Sequence, residues 1–509
     1  MKSIIEKERQ KYVPKIPPSL RSLNCLVPEP REKLPLDSNV EPLFPHLKEL
    51  RLIEFQASNE GFARHLTLGI VFSGGPASGG HNVAAGVYDA MLQFDVSSKL
   101  IGFLGGPSGI INNSFIVLDK EKIDEVRNQG GFSLLSSGRT KIETQEQFFQ
   151  CKTTCESQKL DGLIIVGGDD SNTNAALLAE YFLQTGCKTA VVGVPKTIDG
   201  DLKNQWVETS FGFDSASKTY SEIIGNIEAD AASQGKYYFF IKIMGRTASH
   251  LLLECALQTR PNFAIISEEA KANAWTLEFI IDQIANLIID RAAQGKNHGV
   301  VLIPEGLIEF VPEFKKLIEG SNEKIETLPE NIQAQFFLEK DPHGNIQVSK
   351  IETEKLLIAL VSKALSKKNY SGNFSAQPLF LGYEGRSCLP SNFDCDYCYS
   401  LGLSATLLIA HNKTGMMAII KQLNQSTENW VCCGVPLAAM LKLTLKNGKQ
   451  KPVIEQHLVD LNGPLYKRFE SNRELWKLKD HYTNPGPIQF FGPSEIKDKI
   501  TLTLMGEEE

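Results

Sequence analysis

Two short segments place carboxylates, a lysine and hydroxyls directly behind glycines or a proline. They are Val166-Gly167-Gly168-Asp169-Asp170-Ser171 and Pro195-Lys196-Thr197-Ile198-Asp199-Gly200-Asp201. Each follows an apolar run, Gly162 to Val166 and Thr189 to Val194, that reads as a buried parallel strand. Both segments therefore fall at the carboxyl ends of strands, where open α/β sheets bind ligands. The residue types suit phosphoryl transfer. Lys196 can neutralise phosphate oxygens and Thr197 can donate a hydroxyl. Asp199 can take the proton of an attacking alcohol, a role that contributes roughly 10²–10⁴-fold. A carboxylate aimed at a phosphate repels it unless Mg²⁺ lies between them, which makes Asp169 the metal-associated candidate.

Ser73-Gly74-Gly75 stands in a similar place, after Thr67 to Phe72 and before a helical run from Val83. Glycines there let backbone N–H groups approach an anion. Charge stabilisation dominates phosphoryl transfer, so cations are required. Arg139, Arg246 and Arg386 are the candidates, and the last two sit beside glycines behind predicted strands. Simpler roles compete: a glycine turn at Ser73, a polar turn at Pro195, and Ser171 as the cap of a helix over 172–181.

The elements that must carry these residues alternate strand and helix, which predicts parallel sheets with helices on both faces. A first set, on 63–225, includes the strands already named and Leu100 to Leu104. A second set, on 226–450, has strands at Tyr238 to Ile243, Ala264 to Ile266, Val300 to Ile303 and Leu379 to Leu381. The stretch 311–376 breaks the rhythm with charged helical pattern and reads as an insertion. Residues 1–62 are a proline-rich extension, expected to run extended over a surface or to a partner or else to form a partly disordered tail, and 451–509 form a C-terminal extension.

The whole chain sets limits on partners. Its 509 residues carry a formal net charge of −7, which gives no basic surface for nucleic acid or anionic membrane. No apolar run approaches a membrane span, and the first nine residues lack the apolar core of a secretory leader. Ten scattered cysteines read as free thiols of a reducing, cytoplasmic protein. Cys395-Asp396-Tyr397-Cys398, with Cys388 upstream, has a metal-like spacing but no fourth ligand, so buried thiols are expected.

Taken in order, Ser73-Gly74-Gly75, Gly167-Gly168-Asp169, Pro195 to Asp201, Met244-Gly245-Arg246 and Pro304-Glu305-Gly306 resemble the phosphofructokinase family over most of 66–450. The pyrophosphate-dependent branch, in the long form of the plant-type β subunit, is the nearest likeness. Gly167 to Asn174, Pro195 to Asp201 and Asn484-Pro485-Gly486-Pro487-Ile488-Gln489-Phe490 carry it. The resemblance implies the phosphofructokinase fold, two Rossmann-like parallel-sheet domains. It implies fructose 6-phosphate and pyrophosphate as substrates, with Mg²⁺ and reversible transfer to the sugar's 1-hydroxyl. It casts Asp199 as the base, with Thr197 holding the same end of the sugar. Met244, Gly245 and Arg246 flank the sugar, Glu305 meets its hydroxyls, and Tyr383 and Arg386 bind the 6-phosphate end. Gly75, Arg139 and Lys196 would contact pyrophosphate. Lys236 and Tyr237 match a segment that reaches a neighbouring subunit, implying a homodimer with shared sugar sites.

ATP-using relatives carry glycine at the positions of Asp170 and Lys196. Asp170 would clash with and repel an α-phosphate, and Lys196 would bring a cation to a short donor, so both favour pyrophosphate. An ATP-dependent kinase is the first alternative. A non-catalytic regulatory subunit is the second, and the presence of Asp169 and Asp199 speaks against it. Tyr383 and Gln377 depart from the histidine and arginine of bacterial ATP enzymes, which leaves part of the 6-phosphate's charge unassigned.

Overall fold

The computed structural model describes residues 2–313, 351–446 and 449–506. Its strands, in chain order, are β1 (Leu26–Lys33), β2 (Arg51–Ala57), β3 (Thr67–Phe72), β4 (Lys99–Phe103), β5 (Phe115–Leu118), β6 (Gly162–Gly167) and β7 (Ala190–Pro195). There follow β8 (Tyr238–Ile243), β9 (Phe263–Ala264), β10 (Gly299–Pro304), β11 (Ala376–Leu381), β12 (Met416–Lys421), β13 (Val431–Pro436), β14 (Leu441–Lys446) and β15 (Lys449–Ile454).

Among the described residues the larger sheet runs β1-β2-β13-β12-β7-β6-β3-β4-β5. Its centre, β12-β7-β6-β3-β4, is parallel. Strands β6 and β7 are buried at every residue, as near-continuous apolar runs covered on both faces must be. The chain passes from β3 outward to β4, then back across to β6 and β7. The crevice between the ends of β3 and β6 is therefore a topological switch point, and the Ser73 and Gly167–Gly168 turns open onto it. The smaller sheet, β11-β8-β10-β9, is parallel throughout.

Three sequence-based boundaries shift. First, β12 and β13 belong to the larger sheet, so a second unit over 226–450 is too long at its carboxyl end. The helix Asn392–Ala410 returns the chain there and lies against the helix Gly80–Phe94. Their crossing is close because Gly86 and Gly402 face it. A methyl on Gly402 would meet the Val83 carbonyl oxygen at 2.4 Å, and one on Gly86 the Tyr399 oxygen at 2.3 Å. This helix buries Cys395 and Cys398, whose thiols burial pushes up, the first to about 12.

Second, the stretch 311–376 is not wholly an insertion. Residues 314–350 lie outside the described ones, but the helix Thr353–Lys367 is the crossover leading to β11. Its Leu356, Leu357, Val361 and Leu365 share a core with Tyr238 and Phe240 of β8.

Third, the N-terminal extension is built into the fold. Strand β1 pairs with β2, which joins the larger sheet through β13. Pro28 and Pro30 are tolerated because β1 is the edge strand. The helix Ile4–Gln10, closed by a Ser3–Glu6 capping box, buries Arg9 completely. Arg9 donates to Asn392 Oδ1 at 2.7 Å and to the Pro390 carbonyl at 3.0 Å, and lies 4.3 Å from the Phe490 ring. The two extensions thus meet on one guanidinium. Before that meeting, β14 and β15 pair as an antiparallel ribbon that leads into the C-terminal extension, which continues as a bridge over 454–459 and the helix Pro464–Leu478. Among the described residues no helix is long and apolar enough to cross a membrane.

Candidate active site

The switch-point turn is held by its own side chains. Ser171 does not cap the helix: the helix begins at Asp169, and Gly168 is its N-cap. Ser171 instead points across the crevice and donates to Ser73 Oγ at 2.8 Å. The pocket for it exists because Gly167 has no side chain; a Cβ there would sit 2.5 Å from Ser171 Oγ. Asn172, fully buried, donates to the Gly167 and Gly168 carbonyls at 2.6 and 2.9 Å and fixes the turn from below.

Around this turn the structure gathers the donor-side candidates. Gly74 has φ +86° and donates its N–H to the Gly138 carbonyl at 2.9 Å, which ties the Arg139 loop to the glycine loop. The Lys196 ammonium lies 3.2 Å from where a Cβ on Gly74 would stand, and the Arg386 guanidinium carbon 3.5 Å from one on Gly75. Three cations from separate segments, Lys196 behind β7, Arg386 after β11 and Arg139 in the loop tied to Gly74, thus share one rim. Lys196 is only 7 % exposed. Burial lowers its ammonium to about 8, further helped by Arg386 and Arg139 and opposed by Asp199 and Asp169.

The acceptor side faces it. Burial, and then the Glu305 carboxylate, raise Asp199 to about 6, against the pull of Arg386 and Lys196. The Asp199 N–H donates to Thr197 Oγ1 at 3.1 Å, which closes the turn. Asp201 is buried beside it, raised to about 6 by burial and by Asp199, and accepts from Thr247 Oγ1 at 2.9 Å. From the smaller sheet, β8 ends in buried Met244 and in Gly245, whose φ of +139° only glycine adopts readily. Gly245 donates its N–H to Glu305 Oε2 at 3.1 Å. Glu305 follows β10 and is raised by burial.

The remaining candidates divide. Tyr383 stands 63 % exposed, with Arg386 5.2 Å from its ring. Arg386 therefore joins the 6-phosphate candidate Tyr383 to the donor loop at Gly75, a position between the two substrates rather than at one end. Arg246 turns outward to Glu309 at 3.0 Å. Lys236 and Tyr237 do not join this rim. They precede β8, whereas Met244 follows it, and six strand residues separate the two ends by about 20 Å.

Sequence reasoning missed several partners. Asp170 is paired with Lys141 at 3.1 Å, at the half-exposed lip of the site. Lys141 lies two residues after Arg139, so the same loop supplies both. Asp169 Oδ2 accepts from Gln456 Nε2 at 3.1 Å. Nothing in the sequence pointed to Gln456, because it comes from the C-terminal extension.

The arrangement can hold an anion chain against three cations and aim a half-buried carboxylate at an alcohol. Its two central groups titrate in opposite senses, which sets a pH profile. In the role expected of Asp199 the carboxylate is the active form, so activity should fall as pH drops through about 6. In the role expected of Lys196 the ammonium is the active form, so activity should fall as pH rises through about 8. We expect a bell-shaped kcat/KM between those limits, read from initial rates at saturating donor-binding cation. A profile flat from pH 5 to 9 would remove both assignments.

A phosphofructokinase family model matches residues 67–409. The chain is 44 % identical to the pyrophosphate–fructose 6-phosphate 1-phosphotransferase of Entamoeba histolytica, over 99 % of both chains. It is 47 % identical to the subunit beta 2 of that enzyme from Arabidopsis thaliana, over 91 % of this chain and 87 % of the plant one. Among solved structures it resembles a pyrophosphate-dependent phosphofructokinase from Marinobacter aquaeolei, with a TM-score of 0.57 and 15 % identity, covering 82 % of this chain and 93 % of that one. The chain belongs to the phosphofructokinase family. Within it, the relatives named here carry pyrophosphate in their names.

Proposed function

We propose that this chain transfers a phosphoryl group from pyrophosphate to the 1-hydroxyl of fructose 6-phosphate, giving fructose 1,6-bisphosphate and orthophosphate, and that it runs in both directions. The observation that carries this reading is the placing of a half-buried carboxylate, Asp199, and a buried ammonium, Lys196, on one rim, their titrations displaced toward each other. The near-full-length likeness to enzymes named for this reaction supports the choice of substrates.

In the forward direction Asp199 accepts the proton of the 1-hydroxyl as that oxygen attacks the nearer phosphorus. The bond from that phosphorus to the bridging oxygen breaks, and the bridging oxygen leaves with orthophosphate. Lys196 and Arg386 face the oxygens on which charge builds, and Arg139 holds the distal phosphate beside Gly75. Preorganised charges of this kind act without reorganising in the transition state. Thr197, Met244, Gly245 and Glu305 hold the sugar, Arg246 flanks it through its backbone N–H beside Asp199, and Tyr383 marks its 6-phosphate end.

Asp169 fits a magnesium ion. Magnesium takes one or two carboxylates and otherwise uses phosphates and water. Among the described residues no three His, Cys, Asp or Glu side chains cluster to hold a metal alone, so the donor's oxygens complete the set. When bound, the ion supplies charge neutralisation on the donor.

Lys236, exposed, and Tyr237 sit at the end of β8 remote from this chain's rim, which supports their serving the sugar of a second copy in a homodimer. Free, largely buried cysteines accord with a reducing, cytoplasmic setting. The reverse reaction tests the substrate assignment. Fructose 1,6-bisphosphate and orthophosphate should give pyrophosphate and fructose 6-phosphate, visible by phosphorus NMR. No pyrophosphate signal from an enzyme that binds the bisphosphate would overturn it.

A further inference from the structure

The bridge over 454–459 crosses from the donor half to the acceptor half along the catalytic rim. Ile454 donates its N–H to Thr173 Oγ1 at 3.2 Å, one turn into the helix that begins at Asp169. His457 donates its N–H to the Asp201 carbonyl at 2.7 Å. Val459 donates its N–H to Glu268 Oε1 at 3.0 Å, the same oxygen that accepts from Ser249 N–H. His457 also offers its carbonyl to His250 Nε2 at 3.0 Å, and the two rings stack at 5.3 Å. The backbone of this segment is therefore fixed at both ends and in its middle without help from the Gln456 side chain. Gln456 is left to reach the rim, and its amide meets Asp169 Oδ2.

We propose that Gln456 is a positioning residue for the phosphoryl donor, orienting the Asp169 carboxylate toward the donor and its cation. The inference rests on the proposed role of Asp169. A carboxylate at a helix N-terminus has several rotamers, and its neighbouring backbone N–H groups compete for it. An amide donor on Oδ2 leaves the group anionic and fixes the direction in which the carboxylate points. Partners in this outer position conventionally set ligand orientation, and losing one costs roughly 10–100-fold in metal affinity or activity. The arrangement also gives the C-terminal extension a task at the donor end, since the same segment fixes Asp201 beside the base.

The test uses Gln456→Leu, which keeps bulk and removes the amide, in the full chain. Calorimetric titration of magnesium pyrophosphate into this variant should show affinity weakened by about 10–100-fold relative to the unsubstituted protein. KM for fructose 6-phosphate and the melting temperature without ligands should stay unchanged, because the backbone anchors remain. Gln456→Ala should repeat the result, which separates loss of the amide from any effect of leucine. Equal donor affinity in both variants, or a matching loss at the sugar site with a fall in melting temperature, would overturn the proposal. An unsubstituted protein that binds no magnesium pyrophosphate would instead overturn the underlying donor assignment.

Discussion

Asp199→Asn lowers kcat by about 10³-fold or more, near the upper part of the range for a placed general base, while KM for fructose 6-phosphate changes little. Asparagine keeps the volume and can still accept from the Arg246 N–H that Asp199 faces, so the turn survives. What is lost is the proton acceptor. The same change has an opposite effect on stability. The folded protein holds Asp199 above its ordinary value, so its charge is disfavoured by folding. Above about pH 6 that charged form is present and costs stability; below the ordinary carboxylate range it is protonated in both states and the cost vanishes. The variant should therefore melt no lower than the parent at pH 8 and match it more closely near pH 4. Turnover within a few-fold of the parent would refute the base assignment. A large loss with a lower melting temperature at pH 8 would point to damage instead.

The second large effect is on donor choice. Lys196→Met removes a cation that is almost fully buried at the donor loop. We expect kcat/KM for pyrophosphate to fall by about 10²–10³-fold, the loss found when one preorganised charge-stabilising group is removed. The thioether fills similar space, so packing beside Gly74 is kept. Asp170 acts at the outer lip, where it is half-exposed and paired with Lys141. In the expected arrangement a donor longer than two phosphates meets that carboxylate, and its repulsion, screened by solvent and by Lys141, acts together with the bulk and charge of Lys196. The combined Asp170→Gly and Lys196→Gly variant should raise the ratio of ATP to pyrophosphate kcat/KM by at least about 10²-fold. An unchanged ratio would show that donor length is read elsewhere on the rim.

Much of this site was legible in the sequence, for a physical reason. Central parallel strands are buried on both faces, so β3, β6 and β7 appear as apolar runs, and the glycine and acid turns behind them mark the ligand-binding edge. The residues from Asp169 to Asp201 could be placed on that edge by strand position alone. Contacts between distant segments were not legible. Ser171 reads as a cap by type, yet Gly167 leaves room for it to turn toward Ser73. Arg386 reads as a phosphate ligand of the sugar end, and contacts between distant segments, Ser78 Oγ on the Cys388 carbonyl and the Gly130–Gly131 turn against Ser387 and Cys388, bring its neighbourhood to the donor loop. The return of β12 and β13 to the first sheet has no local signal, since short apolar strands carry no label of which sheet they join. Gln456 and Lys141 are ordinary polar residues until the fold sets them beside Asp169 and Asp170. The family resemblance supplied the substrates, which strand ends and charges alone do not name.

The central claim is that this rim passes a phosphoryl group from pyrophosphate to a sugar phosphate. The most direct measurement is an aldolase-coupled assay with fructose 6-phosphate and Mg²⁺, comparing pyrophosphate with ATP as sole donor. The account predicts turnover with pyrophosphate and at most about one part in 10² of that rate with ATP, because Lys196 and Asp170 together fit the rim to a short donor. Turnover with ATP equal to or above that with pyrophosphate would contradict it.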